Sequence, residues 1–398
     1  MSNFEKKSDK NEEKINKTQE IIVYENFDDM DISDDLLRGI YSYGFEKPSA
    51  IQQKAIVKVA EGHDVIAQAQ SGSGKTAAFL IGSLKNINYD ENVTQKIVLT
   101  PTRDLAKQIY DVLKCLANYT DLTIHTLIGG TKINDDIYIL NRGVHYIIGT
   151  PGRIYDMIKR KNLNVRNLKS LILDEADEML SRGFSSQIYD IFQEIPTQVQ
   201  VCLFSATMPE ECIQITDKFM RNPVKILVKK EYVTLEGIKQ YYIDVQQDNY
   251  KYEILCDLYK TISVSQAIIF CRTKQRVDQL HNELNANNFS CTSISSELST
   301  QERESILKDF KHGHSRILIA TDLIARGIDI QQVSLVINYD LPRDKENYIH
   351  RIGRAGRFGR KGVCINLITR DDVTFVRDLE KFYGINIEEL PANIEELI

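Results

Sequence analysis

The chain has 398 residues, 42% hydrophobic and 27% charged, the balance of an ordinary soluble globular protein. That length exceeds what one core usually fills, so two domains of about 150–200 residues each are expected. A net charge of −6 excludes a protein that coats nucleic acid by sheer positive charge, and no apolar run approaches the ~20 residues that cross a bilayer.

Residues 1–26 are a polar tail, with lysine and glutamate alternating and no signal-peptide core. It has too little apolar surface to fold, so disorder is expected there. Apolar runs at 64–69, 96–100, 146–149, 170–173 and 200–204 then read as buried β-strands. Each is followed by a polar or glycine-bearing turn and an amphipathic stretch, for example 103–116. This rhythm predicts an α/β fold, a parallel sheet covered by helices on both faces. It pauses over a charged segment, 229–237, and resumes with runs at 266–270, 316–320 and 335–338. The expected organisation is a first domain at 27–228, a linker at 229–237 and a second domain at 238–398.

From 371 to 398 there are eight acids and two bases, which accounts for the whole charge deficit and leaves room for a local basic groove elsewhere. The seven cysteines are scattered without a C-x-x-C pair, so they suggest neither a zinc site nor a disulfide framework. Most read as small core residues in a reducing compartment.

Residues 69–76, Ala-Gln-Ser-Gly-Ser-Gly-Lys-Thr, follow a predicted strand and open a predicted helix at 76–84. Gly72 and Gly74 let the backbone curl so that the N–H groups of Ser71, Ser73 and their neighbours face phosphate oxygens at a helix N-terminus. Lys75 would reach the β- and γ-phosphates, and the Thr76 hydroxyl would ligate magnesium. Ala69 stands where the strict pattern has glycine.

Pro101-Thr102-Arg103 and Thr150-Pro151-Gly152-Arg153 each follow a strand and offer hydroxyl, guanidinium and helix-start N–H groups. Gly129-Gly130 permits close backbone approach. Such turns suit gripping a sugar–phosphate strand without reading bases, although any one alone is more often a plain strand-to-helix turn. Asp174-Glu175-Ala176-Asp177 ends the apolar run 171–173. There Asp174 would hold magnesium, partly through water, and Glu175 would orient and deprotonate a water. Downstream, His350 to Arg360 carries Arg351, Arg354, Arg357 and Arg360. A basic solvated turn is the plain alternative. The sharper one has Arg354 and Arg357 reaching across a cleft as arginine fingers.

In this order, over about residues 27–391, the motifs resemble those of the DEAD-box RNA helicases of superfamily 2. The resemblance implies two tandem RecA-like domains, each a mostly parallel sheet flanked by helices. It implies an RNA-stimulated ATPase that uses ATP and magnesium, binds single-stranded RNA across the cleft and unwinds short RNA duplexes. Phe27 and Gly44-Phe45 through Gln52 look like the adenine-reading Q motif, with Gln52 on the base edge and Phe27 stacking. Ser205-Ala206-Thr207 looks like the motif that couples hydrolysis to RNA handling, a role shared with Asp177, Asp322 and His350. Thr321 and Arg326 would lie near RNA and Asp329 near the ribose.

Within the family, 36–41, 178–184, 234–238 and 331–342 are similar to the translation-initiation branch, which implies a cytoplasmic monomer and possible binding to an initiation-factor scaffold. The exon-junction branch, ATP-gated RNA clamps of nuclear RNA processing, is the alternative. Several residues depart from the family pattern. Asp104 replaces a usual Glu, Ser295-Ser296-Glu297 a usual His-Gly-Asp, and Thr300 a usual Gln. Arg272 stands at an Asn position, and Tyr250 and Gln279 stand where tryptophan is common. Most of these fall in the second domain and leave the ATP chemistry untouched.

Overall fold

The computed structural model describes residues 22–69, 72–181, 183–227, 238–262, 266–295, 297–322, 333–355 and 362–391. The first sheet holds β1 (Val65–Gln68), β2 (Lys96–Leu99), β3 (Ile124–Leu127), β4 (Tyr146–Gly149), β5 (Ser170–Asp174), β6 (Gln200–Ser205) and β7 (Val224–Leu227). The second holds β8 (Ile238–Gln246), β9 (Ala267–Phe270), β10 (Cys291–Ile294), β11 (Ile317–Ala320), β12 (Leu335–Asn338), β13 (Gly362–Thr369) and β14 (Glu388–Glu389).

Their strand orders are β3-β4-β2-β5-β6-β1-β7 and β10-β11-β9-β12-β13-β8-β14. Counted from its own first strand, each sheet has the same order. All the strand pairs are parallel. These are the tandem RecA-like units that the motifs imply.

Apolar runs become central strands because both faces of a parallel sheet are covered. In β5, Ile172 points into one core with Val98 and Ile148, while Leu171 and Leu173 point into the other with Ile97 and Leu99. The second sheet repeats this, with Ile268 and Phe270 on one face and Ala267 and Ile269 on the other. Each strand read from the sequence is present, and the helix expected at 103–116 runs over Arg103–Leu116. The strands not anticipated are mainly edge or near-edge strands, such as β3 and β8, whose half-buried or exposed positions break the apolar run. Among the described residues no helix is long and apolar enough to cross a membrane.

Ligands of open parallel sheets gather at the carboxyl ends of the strands. In the first sheet this edge divides in two. The turns at Thr100–Arg103, Gly129-Gly130 and Thr150–Arg153 sit on the β3-β4-β2 half, and the glycine loop, Asp174 and Ser205 sit on the β5-β6-β1 half.

Candidate functional site

The loop after β1 needs its glycines. Gly72 and Gly74 have φ of 81° and 95°, a left-handed backbone that a side chain resists. A Cβ on Gly74 would also come within 2.5 Å of Gln52 Nε2. Gln52, almost fully buried, accepts from the Ser49 N–H at 2.8 Å and donates to the Gly74 carbonyl at 3.2 Å. The Ser49 hydroxyl donates to the Ser73 carbonyl at 2.8 Å. Residues 49–52 thus brace the phosphate-type loop from behind.

A cavity of about 690 Å³ opens over this loop. Phe45, Gln52, Lys75, Thr76, Asp174 and Glu175 line it from the first sheet, and Arg354 lines it from the second. Phe27 does not take the stacking place expected of it. It is wholly buried in the core with its ring edge against Tyr41, because an aromatic so enclosed gains more from packing than from a cavity wall. Tyr43 lines the cavity instead, its ring 4.7 Å from that of Phe45. Sequence reasoning missed Tyr43, although its place two residues before Phe45 was a usable signal.

The electrostatics ask for a ligand. Lys75 is buried and donates to the Ala69 carbonyl at 2.5 Å. Burial lowers its pKa against the opposing charges of Asp174, Glu175 and Asp177, and the charge of Arg354 lowers it further. Asp174 is pushed up to about 7 by burial and by Glu175. Glu175 occupies a left-handed backbone, φ 52°, where β5 turns into the helix Ala176–Ser181, and its Oε2 is buried without a hydrogen-bond partner among the described residues.

A magnesium ion fits this set. The Asp174 carboxyl and Thr76 hydroxyl are hard oxygen donors, and a cation would relieve the raised Asp174. Magnesium is commonly held through one or two carboxylates plus substrate phosphates and water, which these donors would allow.

Asp177 joins three elements. Its Oδ2 accepts from the Thr207 hydroxyl at 2.6 Å and the Thr207 N–H at 3.2 Å, and lies 3.1 Å from His350 Nε2 of the second sheet. The Ser205 hydroxyl lies 3.4 Å from the Asp177 N–H, and the Ala206 carbonyl accepts from Gln68. Burial raises the Asp177 pKa, but the His350 charge and these hydrogen bonds outweigh it and hold the carboxyl well below the usual range. Asp322 is gripped through two oxygens by the fully buried Arg351.

On the other half of the edge, the Arg103 guanidinium lies over Gly129 and Gly130. A Cβ there would come within 3.1 and 2.7 Å of it, so the glycines make room for the arginine. Thr102 caps the helix Arg103–Leu116, and Pro151 occupies the first turn of the helix Pro151–Lys159, next to an exposed Gly152. Arg153 departs from its expected place on a phosphate strand. Its side chain is only 9% exposed, turned inward onto Asp136 and the Thr131 hydroxyl and carbonyl. A buried carboxylate outcompetes solvent for a guanidinium. Asp136 and Arg303 escaped the sequence analysis. Arg303, from the helix Thr300–Lys311, lies 3.5 Å from Asp104 across the two sheets.

Thr321 is half-buried just beyond β11. Ser71, Arg326, Asp329 and Arg357 lie outside the described residues, as do Arg182, Ser296 and the segment 229–237.

Comparison with known proteins places these geometries. Residues 49–215 match the family model described as DEAD/DEAH box helicase, and residues 250–359 match the helicase conserved C-terminal domain. The chain is 57% identical to eukaryotic initiation factor 4A of Drosophila melanogaster over 376 residues, 94% of this chain and 93% of that one. S. cerevisiae Dbp5 bound to RNA and ADP BeF3 aligns with TM-score 0.86 at 34% identity, covering 93% of this chain and 97% of that one. A variant of Dbp5 bound to Nup159, Gle1, IP6 and ADP aligns with TM-score 0.65, also at 34% identity, covering 91% and 96%.

Proposed function

This chain belongs to the DEAD/DEAH box helicase family, and on that premise we propose that it is an ATP-dependent RNA helicase of translation initiation. It acts on single-stranded RNA and short duplexes, in the cytoplasm and as a monomer, with an initiation-factor scaffold as a candidate partner. One observation carries the assignment of chemistry. Arg354 of the second sheet enters the same cavity as Lys75, Asp174 and Glu175 of the first. A site built from two halves works only when they meet.

Tyr43, Phe45 and Gln52 would receive the adenine, and Lys75 with the loop N–H groups the phosphates. Thr76 and Asp174 would hold magnesium, partly through water. When bound, the ion supplies positive charge at the β- and γ-phosphate oxygens. Glu175 positions a water and takes its proton as that water attacks. Arg354, and Arg357 with it, stabilises charge on the transferring phosphoryl group. Asp177, held by Thr207 and His350, reports the state of the site to the second sheet.

RNA would lie along Pro101, Thr102, Arg103, Gly129, Gly130, Thr150, Pro151 and Gly152 of the first sheet and Thr321 of the second. These contacts are to backbone, with the 2′-OH separating RNA from DNA. Arg153 acts by bracing this surface. The two Dbp5 alignments share one identity but differ in TM-score, 0.86 against 0.65, which supports taking the present arrangement as the RNA-gripping one.

The test is phosphate release with and without single-stranded RNA, alongside displacement of a short duplex. Turnover should rise with RNA and not with single-stranded DNA. Equal turnover with and without RNA would overturn the assignment.

A further inference from the structure

A second cavity, of about 490 Å³, lies between the two sheets and shares no lining residue with the nucleotide cavity. Its walls carry Asp177, Glu178 and Glu211 from the first sheet's side and Asp322, Asp344 and Glu346 from the second's. Among the described residues that line it, His350 is the one basic type, with no lysine or arginine.

Asp177 binds Thr207 and His350, Asp322 binds Arg351, and Asp344 caps the helix Lys345–Ile352. Glu211 and Glu346 line the cavity from the helices Glu210–Phe219 and Lys345–Ile352. Lys345, next to Glu346, is directed over the Phe382 ring instead.

A second observation points to a missing donor. Asp177 Oδ1, His350 Nδ1 and Asn347 Oδ1 are buried and have no hydrogen-bond partner among the described residues, and all three residues line this cavity. Asp177 and His350 are themselves 4% and 2% exposed. Two of these atoms can only accept, so the site wants N–H groups carrying positive charge. The volume is that of a small-molecule site, about 300–1,000 Å³.

We propose that this cavity binds a linear aliphatic polyamine, whose spaced ammonium groups bridge the carboxylates of the two sheets. Apposing the sheets brings like charges together, and a polycation between them relieves that repulsion. By linkage, occupancy favours the apposed arrangement, a clause that rests on the function proposed above.

Spermidine titrated calorimetrically into the full chain, with a non-hydrolysable ATP analogue and a short single-stranded RNA, tests this. The RNA and nucleotide without protein serve as the blank. A saturable site is expected, weakened about tenfold in a Glu211→Gln/Glu346→Gln variant, in keeping with the loss of charge-assisted contacts. No saturable heat above the blank, equal affinity in the variant, or equal binding of propylamine would each overturn the proposal. The variant's RNA-stimulated turnover without spermidine should match the parent's. If the parent itself shows no RNA-stimulated turnover, the helicase assignment falls while the calorimetry still decides the polyamine site.

Discussion

The helix after β1 and the helix after β8 each begin with a buried lysine, Lys75 and Lys251, at matching places in two sheets of one strand order. Their surroundings differ. Lys251 lies 3.0 Å from both Asp248 and Asp340, and Tyr339 lies under it and Arg276. Asp340 follows β12, the strand that corresponds to β5, so it stands close to where Asp174 and Glu175 stand in the first sheet. A short 3-10 turn, Asp248–Tyr250, occupies the place of the glycine loop. The second sheet has closed this position with its own charges. The first has left it open, with a loop that glycine keeps thin and carboxylates that burial keeps short of positive charge. One topology therefore supports a brace or a binding site, according to whether the strand-end acid is shared with the lysine or kept for a ligand.

The largest effect that sharpens this contrast is chemical. Glu175→Gln should lower RNA-stimulated phosphate release by roughly a hundredfold or more while ATP and RNA still bind. Near-normal single-turnover rates would remove Glu175 as the base. The paired lysines come next. Lys251→Ala leaves Asp340 with the Arg272 N–H and a longer 3.9 Å contact to Arg276, and should cost on the order of 3 kcal/mol in denaturant unfolding, with nucleotide affinity kept in the folded protein. Lys75→Ala should do the reverse, losing nucleotide affinity with little change in stability. If Lys251→Ala weakens nucleotide binding and leaves unfolding untouched, the comparison breaks.

Acidity offers a subtler probe. Asp174 titrates near 7 in the folded chain, against an ordinary 3.8. Between those values the folded chain holds a proton that the unfolded chain has lost, so this group's contribution to stability falls as pH rises through that window. A bound cation competes with that proton. The thermal shift produced by magnesium and a non-hydrolysable ATP analogue should therefore be greater at pH 8 than at pH 6, and a flat or inverted trend would count against Asp174 as the ligand. The smallest effect belongs to Arg303 and Asp104, each about a quarter exposed. Arg303→Ala should weaken analogue-dependent RNA binding by up to about 1 kcal/mol, and adding Asp104→Ala should cause little further loss if the two act as a pair.

The sequence revealed the features that repeat along the chain. Central strands are legible because burial on both faces forces continuous apolar runs such as 170–173, and the glycine loop because only glycine adopts its backbone. Edge strands such as β3 were not legible, since water on one side restores polar residues. Phe27 and Arg153 show the limit within the site. An aromatic reads alike in a core and over a base, and an arginine reads alike toward phosphate and toward Asp136. Asp136, Arg303 and the Lys251–Asp340 pair depend on partners far along the chain, which no local pattern announces.

The division of the first sheet's edge has a mechanical meaning. β2 and β5 are hydrogen-bonded neighbours, with Leu99 beside Leu173, so the turn that opens the half proposed to face RNA begins one strand from Asp174. Adjacent strands lie about 4.8 Å apart. News of a lost phosphate need cross only that gap to reach Thr102 and Arg103, a stride shorter than one turn of helix. A motor so arranged has little use for a long internal wire.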